Sequence, residues 1–144
     1  MAVKIKNILV PIDGSANSIR GLDHAIFLAR QCQATITAVY AKHLPTAYAL
    51  HPLGFMGMNF KKEAKKILDA AKLRAAKKGV LLKQKMLFGG DPGYDIVRFA
   101  EKHKPKYDII VIGARGQGTA KAMFFGSVSN YVSHKCKMPV LIVK

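Results

Sequence analysis

The stretch YDIIVIGARGQGTAKAMFFGSV, residues 107–128, leads from an apolar strand into a glycine-rich loop and on to the start of a helix. Ile109 to Ile112 are apolar without a break, the pattern of a parallel strand covered on both faces. Gly113, Gly116 and Gly118 follow. Without Cβ atoms the backbone there turns tightly enough for peptide N–H groups to converge on an anion. Nine residues separate Gly116 from Gly126, and Ser127 comes next. Ser127 is placed to cap a helix over Val128 to Cys136, whose first turn carries unpaired N–H groups and the positive end of the helix dipole. An ordinary loop followed by an ordinary N-cap reads the same way, so this stretch alone leaves a phosphate site and a plain turn both open.

The segments on either side narrow the choice. Ile5 to Ile12 (IKNILVPI) reads as a first strand, and it stops at Asp13-Gly14-Ser15. The carboxyl end of a central strand is where open α/β sheets hold ligands. Asp13 there either bonds a ribose or base, meets a phosphate-bound cation through water, or closes an Asx turn. Ile19, Leu22, Ala25, Ile26 and Ala29 recur at helical spacing, predicting a helix over Ser18 to Gln31 capped by Asn17 or Ser18. Ala34 to Ala41 is a second strand, which brings Val39 and Tyr40 beside Asp13 when the two strands are parallel neighbours.

The sixteen residues Lys42 to Gly57, with Pro45 and Pro52, are long for a connection in a compact domain and suggest a lid, a partner surface or mobility. A second helix is predicted over Met58 to Lys78. Val80 to Phe88 follows as a strand, with Lys83 and Lys85 one alternation apart, as suits a half-exposed edge. Asp91-Pro92 supplies an N-cap and a first-position proline for a helix over Tyr94 to His103, which Pro105 ends. After the strand Tyr107 to Ile112 and the helix 128–136, Pro139 to Val143 closes the chain as a short apolar strand.

Strand and helix alternate throughout. The fold class expected is therefore α/β, a five-stranded parallel sheet of order 3-2-1-4-5 with helices on both faces, in one domain over residues 1–144. In that order the ends of strands one and four adjoin at the reversal point, so Asp13 and the Gly113 loop face one crevice.

Composition sets the outer limits. Half the residues are hydrophobic, no apolar run approaches the length of a membrane span, and the opening MAVKIKN lacks a signal h-region, which predicts a soluble, cytoplasmic protein. Cys32 and Cys136 have no companion motif and read as reduced structural thiols. The net charge of +16, from 24 basic against 8 acidic residues, attracts polyanions in general. Much of it sits on the basic helix 58–78, which is either a solvated face or a surface for nucleic acid or another anionic partner. Aromatic and basic residues are not interleaved as on a strand-reading surface. The lysine-bearing NTPase loop G-x-x-x-x-G-K-[ST] and a G-x-G-x-x-G in the first strand–helix turn are both absent, and no catalytic triad or metal-ligand spacing emerges.

Taken together, NILVPIDGS, HAIFLAR, ITAVYA, DIIVIGARGQG, GSVS and MPVLIVK closely resemble the ATP-binding branch of the universal stress protein family over nearly the whole chain. The most specific part is G-x2-G-x9-G-S at Gly113, Gly116, Gly126 and Ser127. The resemblance implies a Rossmann-like, adenine nucleotide alpha hydrolase-like fold that binds ATP or AMP. Asp13 would lie on the ribose and metal–phosphate side, with Mg2+ as an indirect ligand, and Val39 would meet the adenine, with Pro11 in the same crevice. Gly113, Gly116, Gly126 and Ser127 would surround the phosphates, Val128 and Ser129 would line the helix entrance, and Arg115 would either neutralise phosphate or point to solvent. The resemblance further implies a homodimer through the edge strand Val140 to Val143 and a stress-associated regulatory role, with hydrolysis at most slow. An empty-crevice interaction protein and a nucleic-acid-associated protein are the other readings.

Overall fold

The computed structural model describes residues 2–44, 55–103, 106–116 and 125–144. Gly118, Pro105 and most of the Lys42 to Gly57 connection lie outside the described residues. In chain order the elements are β1 (Asn7–Pro11), α1 (Ala16–Cys32), β2 (Thr35–His43), α2 (Phe55–Ala76), β3 (Leu82–Gly89), α3 (Pro92–Lys102), β4 (Ile109–Gly113), α4 (Ser127–Lys135) and β5 (Val140–Val143). The five strands form one sheet of order β3-β2-β1-β4-β5, every pairing parallel. This is the expected doubly wound order.

The continuous apolar runs follow from helices packing on both faces of the sheet. Along β1, Ile8 and Val10 enter a core shared with α1 and α2, whereas Leu9 enters a second core beneath α3 and α4. Along β4, Val111 faces the first core and Ile110 and Ile112 the second. Ile8, Leu9, Val10, Ile110 and Val111 are fully buried. Burial of such side chains contributes about 1.5–3 kcal/mol each.

The ends of the elements differ from expectation where hydrogen bonding, not hydrophobic pattern, decides them. Ser15, not Asn17 or Ser18, caps α1: its side chain accepts the N–H of Ser18 at 3.2 Å. β2 runs on to His43 because Lys42 and His43 pair with Phe88 and Gly89 of β3, although both are polar. The loop predicted from Lys42 is therefore shorter at its start, and α2 begins at Phe55, before Met58. At its other end α2 stops at Ala76, where Gly79 adopts a left-handed φ of 74° and the N–H of Val80 turns back to the Ala75 carbonyl. Asp91 caps α3 as expected, accepting the N–H of Tyr94 at 2.8 Å with Pro92 in the first turn.

One crossing positions the site. α1 passes so close to the end of β4 that a Cβ on Gly113 would lie 2.6 Å from the Asn17 carbonyl oxygen, and one on Gly21 would lie 3.0 Å from the Gly113 nitrogen. The first turn of α1 thereby sits directly against the end of β4. At the two margins, β3 and β5 each leave one edge unpaired among the described residues. Along β5, Leu141 is exposed and Val140 and Ile142 are half-buried.

Candidate functional site

β1 and β4 pair only through Ile8–Ile109 and Leu9–Ile110. Beyond that ladder, at the reversal point of the strand order, a cleft of about 470 Å³ opens at the carboxyl ends of the strands. That is within the roughly 300–1,000 Å³ usual for small-molecule sites. All ten residues that sequence reading singled out line it: Pro11, Asp13, Val39, Gly113, Arg115, Gly116, Gly126, Ser127, Val128 and Ser129.

Asp13 closes the turn after β1. Its Oδ1 accepts the N–H of Ser15 at 2.9 Å, and its own N–H points to Ser18 Oγ at 3.4 Å. The Asx turn therefore exists. The other oxygen, Oδ2, lies over Gly116, close enough that a Cβ there would overlap it. The carboxylate thus closes the turn and borders the cleft at once, so the two readings of Asp13 are compatible.

Beside Asp13 the loop after β4 is held by one residue, Ala114. The N–H of Ala114 donates to the Val143 carbonyl at 2.7 Å, while its carbonyl accepts both the Gly126 N–H at 2.6 Å and the Ser129 hydroxyl at 2.7 Å. Ser129 is buried, and its hydroxyl also reaches the Gly126 carbonyl at 3.1 Å. Its role visible here is to fasten α4 to the β4 loop. The predicted cap needs correction: Gly126 is the N-cap of α4, with no side-chain hydrogen bond, and Ser127 is the first helical residue. Ser127 is exposed at the cleft. Because no side chain caps α4, its first-turn N–H groups and dipole end face the cleft as an anion-accepting surface.

The third wall is the end of β2, with Pro92 and Ile96 of α3 beside it. Val39 is fully buried under the second core, and its carbonyl accepts the Ile12 N–H at 2.8 Å. Lys42 and His43, missed because that segment reads as loop, extend this wall. Their signal was the pairing register with β3, which hydropathy does not carry. The Lys42 ammonium bonds Glu63 at 2.9 Å and lies 4.6 Å from the centre of the Phe60 ring. Glu63 also accepts the Tyr40 hydroxyl at 3.2 Å. The Glu63 bond raises the pKa of Lys42, and burial raises that of Tyr40, so the ammonium and the phenol both keep their protons at neutral pH. A ring nitrogen of His43 meets the Gly90 carbonyl and ties the β2 end to the β3–α3 turn.

Among the described residues no three His, Cys, Asp or Glu side chains group as a metal site. The chemistry the walls offer is one carboxylate, an apolar floor, the first turn of α4 with its N–H groups, and the side chains of Lys42, His43 and Arg115 at the margin.

Residues 4–144 match the model of the universal stress protein family. The chain belongs to the universal stress protein family. Among curated relatives, universal stress protein YxiE of Bacillus subtilis is 36% identical over 146 residues, covering 94% of this chain and 97% of YxiE. The solved structure of universal stress protein UspA from Lactobacillus plantarum superposes with a TM-score of 0.82 at 28% identity, covering 99% of this chain and 100% of that one. A universal stress protein from Archaeoglobus fulgidus, solved in complex with dAMP, aligns with a TM-score of 0.70 at 26% identity, covering 99% and 100%. Within this family member no described helix is long and apolar enough to cross a membrane.

Proposed function

We propose that the cleft binds an adenine nucleotide, ATP or AMP, and that occupancy serves a stress-associated regulatory role. The observation that carries the reading is that the first turn of α4, which no side chain caps, lines the same cleft as Asp13, Val39 and Pro11. An adenine nucleotide has the matching polarity: an anionic tail for the helix end, ribose hydroxyls for a carboxylate and a flat ring for an apolar floor. The dAMP complex of the Archaeoglobus relative supports this, as does family membership.

Mg2+ suits this donor set only as a companion of the nucleotide, held by phosphate oxygens and water with Asp13 beyond them. The ion would offset phosphate charge. Asp13 already accepts the Ser15 N–H and is the one described carboxylate lining the cleft, which favours binding over rapid hydrolysis. The open β5 edge, with Leu141 40% exposed, suits a homodimer, and the protein is proposed to act in the cytoplasm.

Calorimetric titration with ATP, AMP and GTP, with and without Mg2+, tests the central reading. Saturable binding of an adenine nucleotide in the micromolar range is expected. Absence of binding below about millimolar, a free energy near −4 kcal/mol, would remove it and leave an interaction protein with an empty cleft.

A further inference from the structure

In a parallel sheet wound with helices, every strand begins and every helix ends at the face remote from the cleft. In this chain that face carries an excess of cations. Lys4 and Lys6 precede β1, Arg30 lies in the last turn of α1, and Lys77 and Lys78 follow α2. Lys102 closes α3, Lys106 precedes β4, and Lys135 and Lys137 flank the turn into β5. All nine are exposed, and none belongs to an ion pair among the described residues, whose salt bridges are Lys42–Glu63, Lys65–Asp69 and Arg74–Asp23. Three carboxylates bear on this end: Glu101, Asp108 and Asp23, which is paired with Arg74 of the last turn of α2 and also lies within the field of Lys78. Asp108 is committed to the backbone, accepting the N–H groups of Lys6 and Asn7 at 2.8 and 2.9 Å.

Helix dipoles explain cations at helix C-termini. They do not explain Lys4, Lys6, Lys106 and Lys137, which stand before strands. With five strands spaced about 4.8 Å apart, the cations spread over a front roughly 20 Å wide. Two apolar side chains project at the same end, Val3 at 92% and Leu81 at 62% exposure. Of the aromatic residues there, Phe99 and Tyr107 are buried against each other, and Phe27, one turn before Arg30, is a single exposed ring at 64%. Eight of the nine cations are lysines. Base stacking along a strand calls for a series of exposed aromatics, and bidentate phosphate recognition calls for arginine; with one exposed ring, Phe27, and one arginine, Arg30, this end is poorly equipped for nucleic acid. Lysine point charges around short apolar side chains suit the diffuse negative potential of an anionic bilayer.

We propose that this lysine-rich end is a peripheral docking surface for anionic lipid. It holds the protein with β1 upright and the cleft facing away from the bilayer, open to solvent. The inference is independent of what the cleft binds.

Flotation with phosphatidylcholine vesicles, with and without phosphatidylserine, tests it on the intact chain. Binding is expected only with phosphatidylserine. The variant Lys4→Gln/Lys6→Gln/Lys106→Gln/Lys137→Gln is expected to lose on the order of several hundred-fold in vesicle affinity, since each lysine near an anionic leaflet contributes roughly fivefold. A control with the same charge change on α2, Lys61→Gln/Lys62→Gln/Lys66→Gln/Lys72→Gln, is expected to lose less than about tenfold, the part owed to net charge alone. Val3→Ser/Leu81→Ser, which leaves the charge unchanged, is expected to weaken binding severalfold. Equal losses in the two lysine variants, or no binding to phosphatidylserine vesicles, would overturn the proposal. So would a duplex oligonucleotide that binds the parent tightly through the same four lysines while vesicles do not. Circular dichroism and thermal unfolding confirm that each variant is folded.

Discussion

Gly113→Ala separates two explanations of the motif's first glycine. The position is the last residue of β4, and only Gly14 and Gly79 among the described glycines have a positive φ. Backbone conformation alone therefore accepts alanine there. In an unobstructed site the change would raise stability by about 0.4–1 kcal/mol through the unfolded chain. The site is obstructed. A Cβ would lie 2.6 Å from the Asn17 oxygen, 2.7 Å from the Asn17 carbonyl carbon and 3.0 Å from the Ser18 nitrogen, where ordinary contact begins at 3.4 Å. Those atoms are backbone in the first turn of α1, so no side chain can rotate away and the helix has to retreat by most of an ångström. Overpacking of this kind costs about 1–3 kcal/mol, and a rigid obstacle places it near the upper end. The expected loss is about 3 kcal/mol, or roughly 6–12 °C in Tm for a chain of this size. Urea unfolding followed by circular dichroism measures it. A variant as stable as the parent, or more stable, would refute the claim that Gly113 is held as glycine by the α1 crossing.

Gly116→Ala meets, among the described residues, the carboxylate of Asp13, whose Oδ2 end has to give way while Oδ1 holds the Ser15 N–H; stability should change by less than about 1 kcal/mol while nucleotide affinity drops at least tenfold, and unchanged affinity in calorimetry would take this loop out of the binding account. Ser129→Ala removes the hydroxyl that fastens α4 to Ala114 and should cost about 1–2 kcal/mol, read from denaturant midpoints. Asp95 has a buried Oδ2 with no hydrogen-bond partner among the described residues, and burial, with Asp91 adding and Arg98 opposing, raises its pKa. The folded state thus favours the protonated form, giving stability that is present below the ordinary carboxylate pKa of about 4 and lost as pH rises through the raised folded value. Asp95→Asn should flatten that decline; a parent-minus-variant stability difference that grows with pH would contradict it.

Much of the fold was legible because alternating strands and helices leave one natural winding, and apolar runs such as Ile8–Val10 and Ile109–Ile112 declare strands covered on both sides. The candidate site was legible for a related reason. The reversal of strand order brings the ends of β1 and β4 together, and Asp13 and Gly113 stand at those ends. What escaped the sequence was non-local. β2 continues through Lys42 and His43 because β3 pairs with them, and no pattern within residues 42–43 signals that partner. Gly113 read as a residue for anion approach, but its tightest neighbour is Asn17, almost a hundred positions away in the chain. Caps shifted for a smaller reason. Gly-Ser and Asp-Gly-Ser each contain adjacent residues able to begin a helix, and only the geometry selects Gly126 and Ser15.

The unpaired margin of β5 carries a directional consequence. A twofold axis that continues the sheet across two such margins has to set the strands antiparallel, since each N–H must then meet a C=O of its symmetry mate. The joined molecule is bipolar: one cleft opens upward and the other downward, and the two lysine-rich ends point away from each other. A single anionic surface would engage only one protomer. Two such surfaces brought together would be bridged by the pair, and vesicle clustering would then report dimerisation, an outcome that a monomer could not produce.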